Sequence, residues 1–539
     1  MIIKDLQEAL PWKDFLETME KLGFRTFHSI DTSKFSSDQQ YKKLLNSGIA
    51  IIVKSLVQSL GLKDPSLLSL APYIIFRPTT EGQLKNIVIQ SQKFKIPITF
   101  AAGKTGLSGG FANYAIVVDM TELTSLNSPY ELNLKKEQIL VEQRVLVSDL
   151  IKIIPLKTNH ELIFPIQPAS ALKLPVRIGG IISSNASGVT SGKLGATDEW
   201  IINLRVMLPN GEIVEIERKD PLFSKVVGGN GYFAIILSAT FRLYRPEEDL
   251  ERAIIYGYDL NSAFEGLQKV LDAKIYPLIS EFVSSPLKLP GIFNELNNGE
   301  TDNQTVKWAA MLKGKSIEVK SFIEIMLHET NCKKKYLTEQ IFQEFLQERS
   351  TFALLVQTSD GSSNYIAFPG FEDILSPPKY LPEIINTINS VFTKKGFHKV
   401  IFGYGHINFR KGKGLLLHMR LPVPIDFFYK ESKGKKKLVC ETIYEVIIKL
   451  NQMFRIESKA EHSPGPFRIW LNKDFRHYLY TAISKNNAFY NPHIIIFDHI
   501  FKQTLIDYSK FTNYSYNLDQ SLPEEIEKQV FTSCMMLYL

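Results

Sequence analysis

Apolar positions in this chain come in short runs that proline, glycine or charge interrupts, and the spacing within each run assigns it to a strand or a helix. Ile74-Ile75-Phe76 reads as a strand, and Arg77-Pro78 stops it because proline has no N–H to continue a ladder. Leu84, Ile87, Val88 and Ser91 then recur at helical spacing on one face before Pro97 opens the next strand. The pattern is a βαβ beginning. Val117-Val118-Asp119-Met120 and Gln138-Ile139-Leu140-Val141 read as strands flanking a turn rich in Asn, Ser and Pro. The run over 202–208, the turn Pro209-Asn210-Gly211 and Ile213-Val214-Glu215-Ile216 predict a hairpin. Further along, strands over 253–256 and 278–282 alternate with a helix over 261–273; a helix over 380–394 precedes strands around 400–409 and 415–421.

These patterns divide the chain. At 539 residues it is too long for one core. Thr240-Phe241-Arg242-Leu243-Tyr244-Arg245-Pro246 closes a first unit, because Glu247, Glu248 and Asp249 break its pattern. The expected organisation is a charged, helical lead-in over 1–65, a first domain over 66–246, a second over 247–460, and a C-terminal segment with an extra tail over 461–539.

Composition narrows the class. With 44% hydrophobic residues the chain is globular, and 63 basic against 56 acidic residues give a charge of +7, too small an excess for a dedicated nucleic-acid binder. Lysines gather at Lys430, Lys433, Lys435, Lys436 and Lys437, which reads as a solvated loop or as a contact for acidic lipid headgroups or an acidic acceptor protein. Cys332, Cys440 and Cys534 contain no C-x-x-C, so the sequence holds no iron–sulfur or Cys-zinc motif and fits a reducing compartment. The N-terminus has no signal-peptide core and no apolar run reaches bilayer length. The expectation is a cytoplasmic protein, at most peripheral to the inner membrane face.

The chemistry is concentrated in glycine-rich loops. Pro97-Ile98-Thr99-Phe100-Ala101-Ala102 leads into Gly103, Lys104, Thr105, Gly106, Leu107, Ser108, Gly109 and Gly110. A second loop runs from Gly179-Gly180 to Gly188. Glycines let backbone N–H groups approach an anion closely, so paired loops suit a diphosphate. Neither a G-x-x-x-x-G-K-[ST] motif nor a Rossmann arrangement is present. A dinucleotide held in some other way is implied.

The first loop, then Phe164-Pro165-Ile166-Gln167-Pro168 running to Gly179-Gly180-Ile181-Ile182-Ser183-Ser184-Asn185-Ala186-Ser187-Gly188, then Gly228-Gly229-Asn230-Gly231-Tyr232-Phe233-Ala234-Ile235-Ile236 resemble, in that order, the FAD-linked oxidases of the vanillyl-alcohol-oxidase type. Glu372-Asp373-Ile374-Leu375-Ser376-Pro377-Pro378, and Ile483-Ser484-Lys485 followed by Asn491-Pro492, resemble the D-lactate dehydrogenase and glycolate oxidase flavin-subunit branch. The resemblance covers residues 70–493. It implies an α+β fold: a two-subdomain FAD-binding domain plus an α/β substrate-cap domain. It also implies non-covalent FAD on the first loop, with Pro168, Gly179, Gly180, Asn185, Ser187, Gly188, Ile235 and Asn491 completing the site. Lys104 reads equally as a phosphate contact or as a solvated loop lysine.

A second constellation is Gly405-His406-Ile407-Asn408, His418 and Glu461-His462. A turn at Lys411-Gly412-Lys413-Gly414 would bring the two imidazoles to one face. The resemblance makes His406, His418 and Glu461 ligands of zinc or manganese and His462 the general base, with Arg468 or Arg420 binding a substrate carboxylate. The family's Gly-Asp-Gly-Asn core is absent between the histidines, and Ser463-Pro464-Gly465-Pro466 replaces a glycine pair. The implied activity is oxidation of a D-2-hydroxy acid (lactate-, glycolate- or 2-hydroxyglutarate-like), with electrons passing to a quinone, a cytochrome or an electron-transfer protein. An alkyl-glycerone-phosphate-synthase-like enzyme and a catalytically degenerate flavoprotein are the alternatives.

Overall fold

Parallel pairing of three short apolar runs builds the first sheet. In the computed structural model, Ile74–Phe76 (β1), Ile98–Ala101 (β2) and Ile116–Asp119 (β3) pair in the order β1-β3-β2. The model describes residues 8–24, 73–105, 113–284, 296, 306–351, 365–397, 402–424, 433–454, 457–458, 482, 485–491, 528–529 and 532–533. Helix α2 (Glu81–Phe94) follows α1 (Trp12–Lys21) in chain order and connects β1 to β2. It buries the four residues that its spacing singles out, Leu84, Ile87, Val88 and Ser91. Thr80 caps its N-terminus by accepting from Gln83 N–H at 3.3 Å.

The described part of the N-terminal lead-in belongs to this same core. Phe15 and Met19 of α1 are fully buried among the side chains of β1 and α2, and Trp12 stacks on Tyr73 with ring centroids 4.1 Å apart. Residues 485–491 also pack here. Ile98 N–H donates to the Tyr490 carbonyl at 2.9 Å, and Phe489 N–H to that of Tyr232 at 2.8 Å, so the late segment lies along the edge of β2.

The second sheet is antiparallel, with strands Tyr130–Asn133 (β4), Gln138–Glu142 (β5), Ile201–Met207 (β6), Ile213–Glu217 (β7) and Ile235–Arg242 (β8) in the order β4-β5-β8-β6-β7. The expected hairpin is β6–β7, closed by Met207 opposite Ile213. Helices α3 (Val147–Lys157) and α4 (Ile178–Ser183) contribute buried residues to its core. Strand β4 lies in the Asn/Ser/Pro-rich stretch read as a turn. It has no buried residue, which is why no apolar run announces it.

Beyond residue 247 the chain builds one antiparallel sheet of eight strands in the described residues: Leu250–Gly257 (β9), Ile279–Ser284 (β10), Trp308–Lys315 (β11), Lys333–Tyr336 (β12), Tyr365–Ser376 (β13), Phe402–His406 (β14), Leu415–Pro424 (β15) and Glu457–Ser458 (β16). Their order is β12-β9-β11-β10-β14-β15-β13-β16. Helices Leu260–Asp272, Ser316–Glu329, Leu381–Lys394 and Lys433–Phe454 bury their apolar faces in a core shared with this sheet. The Glu372-Asp373 segment lies in β13, whose end at Ser376 leads through Pro377 into the helical stretch that starts at Pro378. The chain between β14 and β15 is a short helical turn, Phe409–Gly412, rather than a simple loop.

Ion pairs join the two halves. Lys193 lies 2.6 Å from Glu247 and 3.0 Å from Glu318, and Arg410 lies 2.6 Å from Asp198. Among the described residues, no helix is long and apolar enough to cross a membrane.

Candidate flavin site and a buried histidine pair

A cleft opens beyond the carboxyl ends of β2 and β3, where three segments distant in sequence converge. The chain leaving β2 lays Gly103, Lys104 and Thr105 on one wall; Arg177, Gly179, Gly180 and Ser187 form another; Asn230, Gly231 and Ile235 form a third, with Pro168 beside them. Gly106, Leu107, Ser108, Gly109 and Gly110 lie outside the described residues. A Cβ added at Gly103 would collide with the carbonyl oxygen of Pro175, so glycine permits this close approach of the two walls. Gly180 is the opposite case: nothing lies within 4 Å of where its Cβ would be, so glycine there leaves cleft space open.

Lys104 is not a solvated lysine. Its backbone is left-handed (φ 55°), and its ammonium donates to Asp119 Oδ2 at 2.9 Å with the two side chains 7% and 5% exposed. Asp119 also accepts from the Thr121 hydroxyl at 2.7 Å and the Thr121 N–H at 3.1 Å. Burial pushes the Asp119 carboxyl up, but Lys104 and Thr121 outweigh it and hold the pKa below the usual carboxylate range. A depressed pKa means that the pair's contribution is complete above the unfolded-state value of the carboxyl. It is lost only as pH falls through the lower folded-state value, so the clamp is intact at neutral pH.

Two donors on the cleft walls have no hydrogen-bond partner among the described residues, Arg177 Nε and Asn230 Nδ2, and both are buried atoms. A buried donor without a partner carries a desolvation cost that a ligand in the cleft would relieve. Neither residue has a role assigned from sequence, although Arg177 stands two positions before the Gly179-Gly180 pair and Asn230 lies between glycines in the third resembling segment. Asn185 and Gly188 do not line the cleft. Asn185 Oδ1 accepts from Asp198 N–H at 2.9 Å, and the Gly188 carbonyl accepts from Ser191 N–H at 2.9 Å. Asn491 is buried next to Tyr490 on the β2 edge.

The second candidate centre lies in the large sheet. Tyr404 sits opposite His418 and His406 opposite Leu416, so the histidines are diagonal neighbours on one face. Their ring centroids are 5.4 Å apart at 86°. His406 Nδ1 is hydrogen-bonded to Glu281, its cross-strand neighbour on β10, and Glu281 Oε2 lies 2.9 Å from Arg349 on the helix Glu339–Thr351. The Arg349 guanidinium covers the Tyr404 ring at 4.1 Å, and that ring lies 5.0 Å from His418. All five residues are buried. Glu281 and Arg349 were missed in the sequence; the available signal was a carboxylate inside Ile279-Ser280-Glu281-Phe282-Val283-Ser284, a strand buried at every position.

Arg420 lies on β15 opposite Phe402, while Glu461, His462 and Arg468 lie outside the described residues. Among the described residues, no three His, Cys, Asp or Glu groups are gathered to hold a metal. The third metal ligand expected here, Glu461, is one of those left outside.

The fold is of the vanillyl-alcohol-oxidase type. Residues 72–217 match the FAD binding domain family. The chain is similar to the D-lactate dehydrogenase of Archaeoglobus fulgidus, 25% identical over 39% of this chain and 47% of that protein. It is similar to the D-2-hydroxyglutarate dehydrogenase of Stutzerimonas stutzeri, 23% identical over 73% of this chain and 83% of that protein. A solved alkyldihydroxyacetonephosphate synthase shares the fold, with a TM-score of 0.56 over 78% of this chain and 77% of the other at 13% identity. The matched domain and these relatives make the chain similar to the FAD-linked oxidases and dehydrogenases of the lactate and glycolate branch. Against the lactate dehydrogenase it spans about half of that protein's length.

The Glu281–Arg349 pair gives a stability prediction. Arg349→Met leaves a buried carboxylate without its cation and should cost about 3–5 kcal/mol in chemical denaturation. Adding Glu281→Gln should recover part of that loss, and a double variant no more stable than Arg349→Met alone contradicts the pairing.

Proposed function

We propose that this chain is an FAD-dependent oxidoreductase that oxidises a D-2-hydroxy acid to the 2-oxo acid and passes the electrons to a separate acceptor. The observation that carries the reading is the cleft, whose wall is open at Gly180 and whose two buried donors await a partner, within a chain similar to the lactate and glycolate branch. The residues present fit the cofactor. Backbone groups from Gly103 to Gly110 and at Gly179 and Gly180 would hold its diphosphate. FAD, when bound, supplies the acceptor for the hydride that a 2-hydroxy acid loses from its α-carbon.

The chain's own residues bind the acid and move its proton. His462 accepts the hydroxyl proton at its imidazole, a group that titrates near neutral pH. Arg468 or Arg420 holds the substrate carboxylate through a two-pronged guanidinium contact. Zinc or manganese on His406, His418 and Glu461 would polarise the substrate oxygen. His406 and His418, with ring centroids 5.4 Å apart on one face of the sheet, are the two described residues that would hold it. His406 would present Nε2, since Nδ1 is engaged by Glu281. The electron acceptor is a quinone, a cytochrome or an electron-transfer protein, because the cysteines provide no cluster site in the chain itself.

Purified protein should be yellow, and under anaerobic conditions D-lactate, glycolate or D-2-hydroxyglutarate should bleach it. His462→Ala should keep its flavin and slow limiting reduction about 10²–10⁴-fold. A colourless protein that FAD does not restore rejects the flavoenzyme. A yellow protein bleached by no hydroxy acid favours the synthase-like or degenerate alternatives.

Elemental analysis tests the metal. Wild type should carry about one zinc or manganese per chain, and the His406→Ala, His418→Ala double variant should carry none. Equal occupancy in both proteins removes the histidines from the site.

A further inference from the structure

A diphosphate brings negative charge into a confined cleft, and backbone N–H groups answer it with dipoles only. A full positive charge on the wall answers it better, and among the described residues two cationic side chains line this cleft, Lys104 and Arg177. Lys104 is the one that the glycine loop advertises in the sequence, yet its charge is taken by Asp119 at 2.9 Å, with both side chains almost out of water. Substituting a phosphate for that carboxylate would leave Asp119 buried beside an anion.

Arg177 is in the reverse position. Its Nη1 donates to the Arg144 carbonyl, a neutral acceptor, and among the described residues no carboxylate lies within ion-pair distance of its guanidinium. Its Nε is buried and unpartnered. Burial pulls its pKa down; the Asp119 and Asp149 charges oppose this, and Arg144 adds to it. Placement agrees with the electrostatics. The Arg177 backbone nitrogen lies 3.4 Å from where a Gly103 Cβ would stand, so the residue starts where the first loop comes closest, and Gly179-Gly180 follow it directly after Ile178.

We infer that Arg177 is the anion-recognising residue of the cofactor cleft, its guanidinium meeting a phosphate of the FAD diphosphate, while Lys104 holds the loop in shape and makes no phosphate contact. The inference rests on the FAD reading above. A planar guanidinium with an Nη1 already anchored has little freedom left to lose, and its remaining N–H groups match phosphate oxygens. Asn230, with its own unpartnered amide on the third wall, adds a neutral donor.

The test strips flavin from the full-length protein and titrates FAD and riboflavin separately into wild type, Arg177→Gln and Arg177→Lys, reading flavin fluorescence. Arg177→Gln should weaken FAD roughly 10- to 100-fold, the size of one charge-assisted hydrogen bond, and leave riboflavin affinity unchanged. Arg177→Lys should recover part of the loss, which also shows that the site still folds. Unchanged FAD affinity in Arg177→Gln overturns the inference alone. An equal loss for FAD and riboflavin also overturns it, since the guanidinium would then serve the ring or the fold. Wild type that binds no FAD overturns the flavin reading and this inference with it.

Discussion

The Lys104–Asp119 pair is the constraint on which the cleft depends. It ties the residue that leaves β2 in a left-handed turn to the last residue of β3, across two strands that are already in register. A buried ion pair gains little net stability unless its geometry and hydrogen bonds are good, and here Thr121 supplies the extra donors. What the pair secures is position. The first glycine loop starts from a fixed point, close enough to Pro175 to exclude any side chain at Gly103, and the second glycine segment follows two residues beyond Arg177.

The same logic recurs in the second half. A fully buried Glu281 is balanced by Arg349 and fixes one nitrogen of His406, while Tyr404 fills the space between Arg349 and His418. The orientation of the imidazole is thus decided by residues on two other elements, β10 and the helix Glu339–Thr351. Ion pairs also join the segments that follow each centre. Lys193 follows the second glycine segment and pairs with Glu247 and Glu318, and Arg410, next to the histidine strand, pairs with Asp198.

Local periodicity carried much of the fold into the sequence. The four inward residues of α2, the β6–β7 hairpin around Pro209-Asn210-Gly211, and the strands bearing His406 and His418 follow from patterns within a dozen residues. The glycine segments were legible because a close backbone approach, such as that of Gly103 to Pro175, leaves a compositional trace. Partners distant in sequence leave none. Asp119 as the sink for Lys104, Glu281 and Arg349 around His406, and the orphan donor of Arg177 arise only when separate elements of the chain are brought side by side. Strand β4 was read as part of a turn because Tyr130 and Leu132 alternate with polar residues over only four positions and neither is fully buried.

The direct test of the account is the FAD affinity of Asp119→Asn at neutral pH, where the wild-type carboxylate is charged. The substitution keeps the size of the side chain and removes the charge that holds Lys104. The account predicts a folded protein, by circular dichroism and melting profile, that binds FAD markedly more weakly than wild type because the first loop has lost its anchor. An Asp119→Asn protein that binds FAD as tightly as wild type contradicts the claim that this pair shapes the cofactor cleft.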